Sequence, residues 1–133
     1  MPASIRSPAE QALFIVDVVS AQRLPYRTMG AGRDSLDGTL AQIRKAESIT
    51  GYNKLITAHG APYMLIAKPG ELHQMRVYIE ELRDQVQAAM AAGKSLDEIK
   101  QSIKMEKYQN LFMYDRFLPL NIEGMYAHLG GKK

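Results

Sequence analysis

The sequence contains neither cysteine nor tryptophan in its 133 residues. Without cysteine, the protein has no disulfide scaffold, no cysteine nucleophile and no thiolate metal site. No window approaches the roughly 18 apolar residues of a membrane-spanning helix, so we expect no membrane partner. The net charge is also small, because 17 Lys and Arg residues are nearly balanced by 14 Asp and Glu residues. This thinly spread excess does not indicate a nucleic-acid-binding surface.

The remaining composition is that of an ordinary globular chain, with 46% hydrophobic and 23% charged residues. A chain of this length can bury a core of its own, and we expect residues 1–133 to form a single domain. The first residues contain no apolar core before Ser7 and Pro8, which argues against a secretory signal. We therefore expect a cytoplasmic location.

Residues 12–57 show a pattern of strand, helix and strand. Residues 12–19 are apolar and β-branched without alternation, which is typical of a strand covered on both faces. Leu36, Leu40 and Ile43 follow at helical spacing, and residues 54–57 are short and apolar enough for a second buried strand. A right-handed crossover makes two such strands parallel, with their C-terminal ends at one edge of the sheet.

The long stretch 71–92 has the clearest helix signal. Its apolar residues recur at spacings of four and three and form one stripe, made of Met75, Ile79, Leu82, Val86 and Ala89. We expect this helix to end at Gly93.

Two shorter helices are predicted after it. Ser95 and Glu98 have the spacing of a capping box and predict a helix that begins there. Pro119 interrupts the aromatic tail, so we predict that the last helix begins at Asn121 or Ile122 and ends at the glycines 130–131.

Asp17 and His59 are the candidate metal ligands. A carboxylate beside an apolar strand is costly to bury without a partner, and His59 follows the second strand at the edge where α/β sheets usually bind ligands. The parallel strands would bring both residues to that edge, and their side chains are suitable ligands for zinc or another divalent ion. A structural role is open for each as well: Asp17 would then cap a turn, and His59 would be a hydrogen-bonded residue at a strand end.

Two ligands do not complete a catalytic zinc site, which normally takes three from the protein. His73 lies inside the predicted long helix and His128 lies near the C-terminus. Either would join the site only through a long-range contact. The sequence therefore predicts part of a metal site.

Residues 13–19 and 55–60 resemble the second half of the metallo-β-lactamase fold. The shared order is an apolar strand ending in Asp, a Pro-containing loop, an amphipathic helix, and a short strand that runs into a His-Gly turn. The downstream motifs GKSLDEI, KY and LPLNIEGMY are similar to the C-terminal helical extension of a group of these hydrolases. The resemblance implies a helix-rich α/β fold, namely the second half of an αββα metallo-β-lactamase-like sandwich with a βαβ unit and C-terminal helices.

The resemblance also implies a function. In this superfamily, the residue matching Asp17 bridges two metal ions, the residue matching His59 is a terminal ligand of one of them, and a metal-bound hydroxide performs hydrolysis. The chain lacks the family's HxHxDH motif and a further histidine, and Ala58 stands where glycine is usual. We therefore expect a truncated or separately encoded half that supplies two metal ligands and pocket helices, takes a small-molecule substrate once completed, and is inactive alone.

A half of a sandwich leaves a sheet face and an edge uncovered, which predicts pairing with a complementary N-terminal half or with a second copy.

A different function stays open beside this one. The chain would then be a non-catalytic interaction or oligomerisation module that uses the amphipathic helix 71–92 and binds through Met75, Ile79, Leu82 and Val86. In that case, Asp17 and His59 are turn residues.

Overall fold

The computed structural model describes the backbone of residues 4–7, 12–15, 54–57 and 66–67, and the backbone and side chains of residues 24–25, 36–49 and 70–131. Within these ranges, four short strands pair in chain order: β1 (Ser4–Ser7), β2 (Ala12–Ile15), β3 (Lys54–Thr57) and β4 (Ile66–Ala67). β2 and β3 run parallel, and the two outer pairings are antiparallel. The helices are α1 (Leu36–Glu47), α2 (Gly70–Ala91), α3 (Leu96–Ser102) and α4 (Tyr114–His128), with a 3₁₀ turn at Glu106–Tyr108.

α1 forms where the periodic apolar residues predict a helix. Leu36, Leu40 and Ile43 are buried on one face. Asp37 lies in the first turn and Arg44 in the last, so both charges interact favourably with the helix dipole. Burial of the apolar face and charges at the proper ends therefore act together to hold this segment helical.

α2 is the central helix, and its predicted apolar stripe is confirmed as a buried face. Ile79, Leu82 and Val86 are completely buried. The helix ends in two backbone hydrogen bonds, from Gly93 N–H to the Met90 carbonyl and from Lys94 N–H to the Ala89 carbonyl, 3.0 and 3.1 Å long. Gly93 has a φ of +80°, a left-handed conformation that favours glycine, so the predicted stop is confirmed as well.

α3 begins with the predicted capping box. The Ser95 hydroxyl accepts a hydrogen bond from the Glu98 backbone N–H at 3.2 Å, and the Glu98 carboxylate accepts one from the Ser95 N–H at 3.1 Å. Two of the donors that every helix N-terminus leaves unpaired are thereby satisfied. Ile99, which the helix presents to the core, is completely buried.

The predicted start of the last helix is wrong. α4 begins at Tyr114 and contains Pro119 in its interior. Proline removes one hydrogen bond from a helix, and the apolar face of α4 offsets that loss by burying Leu118, Ile122 and Met125. Tertiary packing thus overrides the local signal of the proline.

The predicted fold class, the second half of an α/β metallo-β-lactamase-like αββα sandwich, is also wrong. Helices dominate the described residues, and no strand among them is longer than four residues. In a sandwich, helices cover the faces of a sheet, whereas here α2 contacts α1, α3 and α4. The buried side chains that the structure describes lie mainly on these helices and on the loops that join them. The long apolar stripes are therefore satisfied by helix–helix packing.

Among the described residues, no helix is both long enough and apolar enough to span a membrane.

Candidate functional site

Asp17 and His59, the predicted metal ligands, lie outside the described residues. The strands before them are described. Ile15, the last residue of β2, is the parallel partner of Thr57, the last residue of β3. Asp17 lies two residues after the end of β2, and His59 lies two residues after the end of β3. Both positions are therefore at the same sequence distance from the Ile15–Thr57 pair.

The remaining histidines lie on helices. His73 is in the first turns of α2, and its Nδ1 lies 3.2 Å from Glu47 Oε1 and 3.1 Å from Arg76 Nη2. His128 is in the last turn of α4 and is exposed. Among the described residues, neither belongs to a group of three His, Asp or Glu side chains that could hold a metal ion.

An ion-pair network joins α1 to α2, formed by Arg44, Glu47, His73, Arg76 and Glu80. Arg76 is at its centre: Nε donates to Glu47 Oε2 at 2.6 Å, and Nη1 donates to Glu80 Oε1 at 2.8 Å. These hydrogen bonds raise the pKa of Arg76, and the bond from Arg76 is the main reason that the pKa of Glu80 is lowered. Arg44 also pairs with Glu80 at 3.2 Å, so two guanidinium groups balance the two carboxylates. The network therefore holds the two helices together and leaves neither carboxylate available to a metal cation.

A second polar cluster is buried in the core. The Tyr78 hydroxyl donates to Asn121 Oδ1 at 2.7 Å, and Asn121 Nδ2 donates to the Pro25 carbonyl at 2.8 Å. Burial raises the pKa of Tyr78 well above its usual range, and burial next to Glu81 raises the pKa of Tyr108 to about 12. Neither phenol is therefore suited to act as a general base near neutral pH.

The apolar stripe of α2 is not a free surface. Met75 is 5% exposed, and Ile79, Leu82 and Val86 are not exposed at all. A partner could reach these side chains only if the helices separated, so their burial gives no support to the interaction module that would bind through them.

A small cleft of about 180 Å³ lies between α3 and α4. Its apolar lining includes Ile103, Leu118 and Ile122, and its polar lining includes Lys104 and Asp115. The sequence patterns did not predict this cleft. They place the start of the last helix at Asn121 or Ile122 and so miss the first turns of α4, which form one wall of the cleft.

The resemblance to metallo-β-lactamases rests on short motifs and their order. No family model matches the sequence, and no curated protein matches it either. The family assignment therefore stays a prediction.

Proposed function

We propose that this chain contributes Asp17 and His59 as ligands of a divalent metal ion, most consistent with zinc, in a hydrolase that uses metal-activated water. The observation that carries the proposal is the pairing of β2 with β3, in which Ile15 is the partner of Thr57. The proposal does not need the sandwich fold, because it depends only on two neighbouring strand ends.

The register supports the pairing of the two ligands. In parallel strands, partner residues lie side by side and direct their side chains to the same face of the sheet. Positions 17 and 59 are both two residues beyond the Ile15–Thr57 pair, so continuation of the same register would make them partners as well. Neighbouring strands are about 4.8 Å apart, which suits two ligands of one ion.

The donor types also suit the metal. A neutral imidazole nitrogen and a carboxylate oxygen are typical zinc ligands, and the carboxylate supplies countercharge to the cation. When bound, such an ion lowers the pKa of its water to about 7, which makes a hydroxide nucleophile accessible near neutral pH. In this chain, Asp17 and His59 would hold the ion in place at the edge of the sheet.

The site needs further ligands, because catalytic zinc normally takes three from the protein. Among the described residues, His73 is engaged by Glu47 and Arg76 and does not fill this role. We propose that the missing ligands come from a complementary N-terminal half or from a second copy, and that the chain alone is inactive. Light scattering with zinc and then with a chelator would detect a second copy as a metal-dependent rise in molar mass.

Isothermal titration with zinc tests the ligand assignment. We expect weak binding by the wild type and a loss of at least about tenfold in affinity, or about 1.4 kcal/mol, in Asp17→Ala and in His59→Ala. His73→Ala and Asp84→Ala are matched controls, since they remove the same side-chain types from α2, and both should bind as the wild type does. Zinc binding that is indifferent to both ligand substitutions would remove the assignment.

A cytoplasmic location is part of the proposal. The metal site uses no thiolate and the sequence has no cysteine, so the chemistry does not depend on the redox state of the compartment. Cell fractionation of a tagged chain tests the location, and recovery outside the cytoplasm would contradict it.

A further inference from the structure

His73 lies where α1 meets α2, and one nitrogen of its ring has two neighbours of opposite kinds. Its Nδ1 is 3.2 Å from Glu47 Oε1, a hydrogen-bond acceptor at the end of α1. The same Nδ1 is 3.1 Å from Arg76 Nη2, a hydrogen-bond donor in the next turn of α2. Arg76 Nη2 in turn lies 3.3 Å from Glu47 Oε1, so the three atoms form a compact triangle.

This ring nitrogen cannot satisfy both neighbours in one protonation state. Nδ1 has either a lone pair, which accepts a hydrogen bond from Arg76 Nη2, or a hydrogen, which it donates to Glu47 Oε1. Arg76 Nη2 has two hydrogens, so it can donate to Glu47 and to an unprotonated Nδ1 at the same time. When Nδ1 has a hydrogen, it faces Nη2 as donor against donor, and only Glu47 remains as its partner. The protonation state of the ring therefore selects the partner of Nδ1.

The charges around the ring are balanced while the ring is neutral. Among the described residues, the network around His73 consists of Arg44 and Glu47 of α1 and Arg76 and Glu80 of α2. These are two cations and two anions, so a proton on the ring gives the network one net positive charge. The ordinary pKa of a histidine side chain is about 6.5 and that of a glutamate about 4.3. Between these values, a charged ring therefore meets an ionised carboxylate at the end of α1.

We propose that His73 is a proton-dependent link between α1 and α2. The neutral ring accepts a hydrogen bond from Arg76, which is a contact within α2. The protonated ring donates Nδ1–H to Glu47 and so adds a second bond between the helices beside the one from Arg76 Nε to Glu47. Uptake of one proton thus replaces a hydrogen bond within one helix by a charge-assisted hydrogen bond between two helices. This link is separate from the proposed metal site and does not depend on it.

NMR of the full-length ¹⁵N-labelled protein at about pH 8 and about pH 5.5 tests the exchange of partners. At the higher pH, we expect the neutral ring of His73 to have its hydrogen on Nε2 and none on Nδ1. At the lower pH, the amides of Ser48 and Ile49, which donate to the last turn of α1, should exchange about threefold more slowly after correction for the intrinsic effect of pH. His73→Gln should abolish this slowing, whereas His128→Gln, an exposed control in the last turn of α4, should keep it.

Matched variants identify the two partners of the ring. Arg76→Met removes the donor to Nδ1, so the neutral ring should shift towards the tautomer with its hydrogen on Nδ1, whereas Arg83→Met, outside the network on α2, should leave the tautomer unchanged. Glu47→Gln removes the charge that the protonated ring meets and should abolish most of the slowing at the end of α1. The proposal is overturned if the neutral wild-type ring already has its hydrogen on Nδ1, if the amides show no slowing at the lower pH, or if the slowing persists in His73→Gln.

Discussion

Asn121 is completely buried and hydrogen-bonded on both sides of its amide, to Tyr78 of α2 and to the backbone at Pro25. The three partners are far apart in sequence, so this one side chain ties α2, α4 and an early loop together. The loop is also held by Leu24, whose side chain is buried and whose N–H donates to the Phe112 carbonyl at 3.1 Å. A polar residue in this position was not predictable, because no local pattern reports contacts over such separations.

Asn121→Leu should lower the free energy of unfolding by about 2–4 kcal/mol, since it leaves the Tyr78 hydroxyl and the Pro25 carbonyl buried without partners. Tyr78→Phe removes a single hydrogen bond and should cost only about 1–2 kcal/mol. Urea denaturation followed by circular dichroism measures both. A cost of Asn121→Leu below that of Tyr78→Phe would show that the buried cluster does not stabilise the fold as described.

The helices differ in how far their sequences foretell them. α1, α2 and α3 have regular apolar spacing or a capping box, and their positions follow from these local features. α4 does not, because Pro119 is a strong local stop and only the burial of Leu118, Ile122 and Met125 explains why the helix continues through it. The ion pairs between α1 and α2 were equally hidden, since Arg76 and Glu47 are brought together only by packing of the two helices.

Replacing the proline of α4 tests this account of the helix. Pro119→Ala restores an N–H that can donate to the Asp115 carbonyl, so we expect the free energy of unfolding to rise by about 1–2 kcal/mol. Thermal unfolding measures the change. A loss of stability would indicate that the helix needs the proline, contrary to the packing argument.

The Arg76–Glu80 ion pair within α2 should make the stability of the fold depend on pH. The pKa of Glu80 lies below its ordinary value of 4.5, chiefly because Arg76 donates a hydrogen bond to it. A carboxylate whose pKa is lowered by folding stabilises the native state above its unfolded-state pKa, and that contribution is lost as the pH falls through the folded-state value. Stability from this pair is therefore fully present at pH 7 and disappears in acid below about pH 4.5.

Arg76→Met should cost about 1–2 kcal/mol at pH 7, because its guanidinium makes several hydrogen bonds and is only one-fifth exposed. The difference between wild type and variant should shrink as the pH is lowered from about 6 to 3. Arg116→Met, at an exposed position of α4, is the control and should show no such dependence. A gap between wild type and Arg76→Met that stays constant over this range would refute the pH argument.

At the scale of the whole molecule, the described helices are organised around α2, whose buried face meets α1, α3 and α4. The predicted fold class is wrong because it depends on how the helices and strands pack together. Short apolar runs indicate strands but not how much of the core they form, and the helical stripes do not reveal whether they pack on a sheet or on each other. The residues that resemble a metallo-β-lactamase are thus local motifs only, and the site at Asp17 and His59 stays a prediction.

The buried apolar stripe of α2 allows a test of how much the core contributes to the stability of the fold. Leu82 is completely buried, so Leu82→Ala should lower the free energy of unfolding by about 2–5 kcal/mol and Leu82→Asp should abolish the folded state. Circular dichroism measures both. A Leu82→Asp protein that keeps its helical signal and loses only self-association would favour the interaction module instead.

The most direct test of the proposed metal site is a pair of engineered cysteines at positions 17 and 59. Because the chain has no cysteine of its own, any intramolecular disulfide in Asp17→Cys/His59→Cys joins these two positions, which requires Cα atoms about 4.4–6.8 Å apart. Under mild oxidation at low protein concentration, we predict nearly complete disulfide formation in this variant and none in Asp17→Cys/His73→Cys. If both variants keep free thiols, the register of β2 and β3 does not continue to positions 17 and 59, which contradicts the observation that carries the proposal.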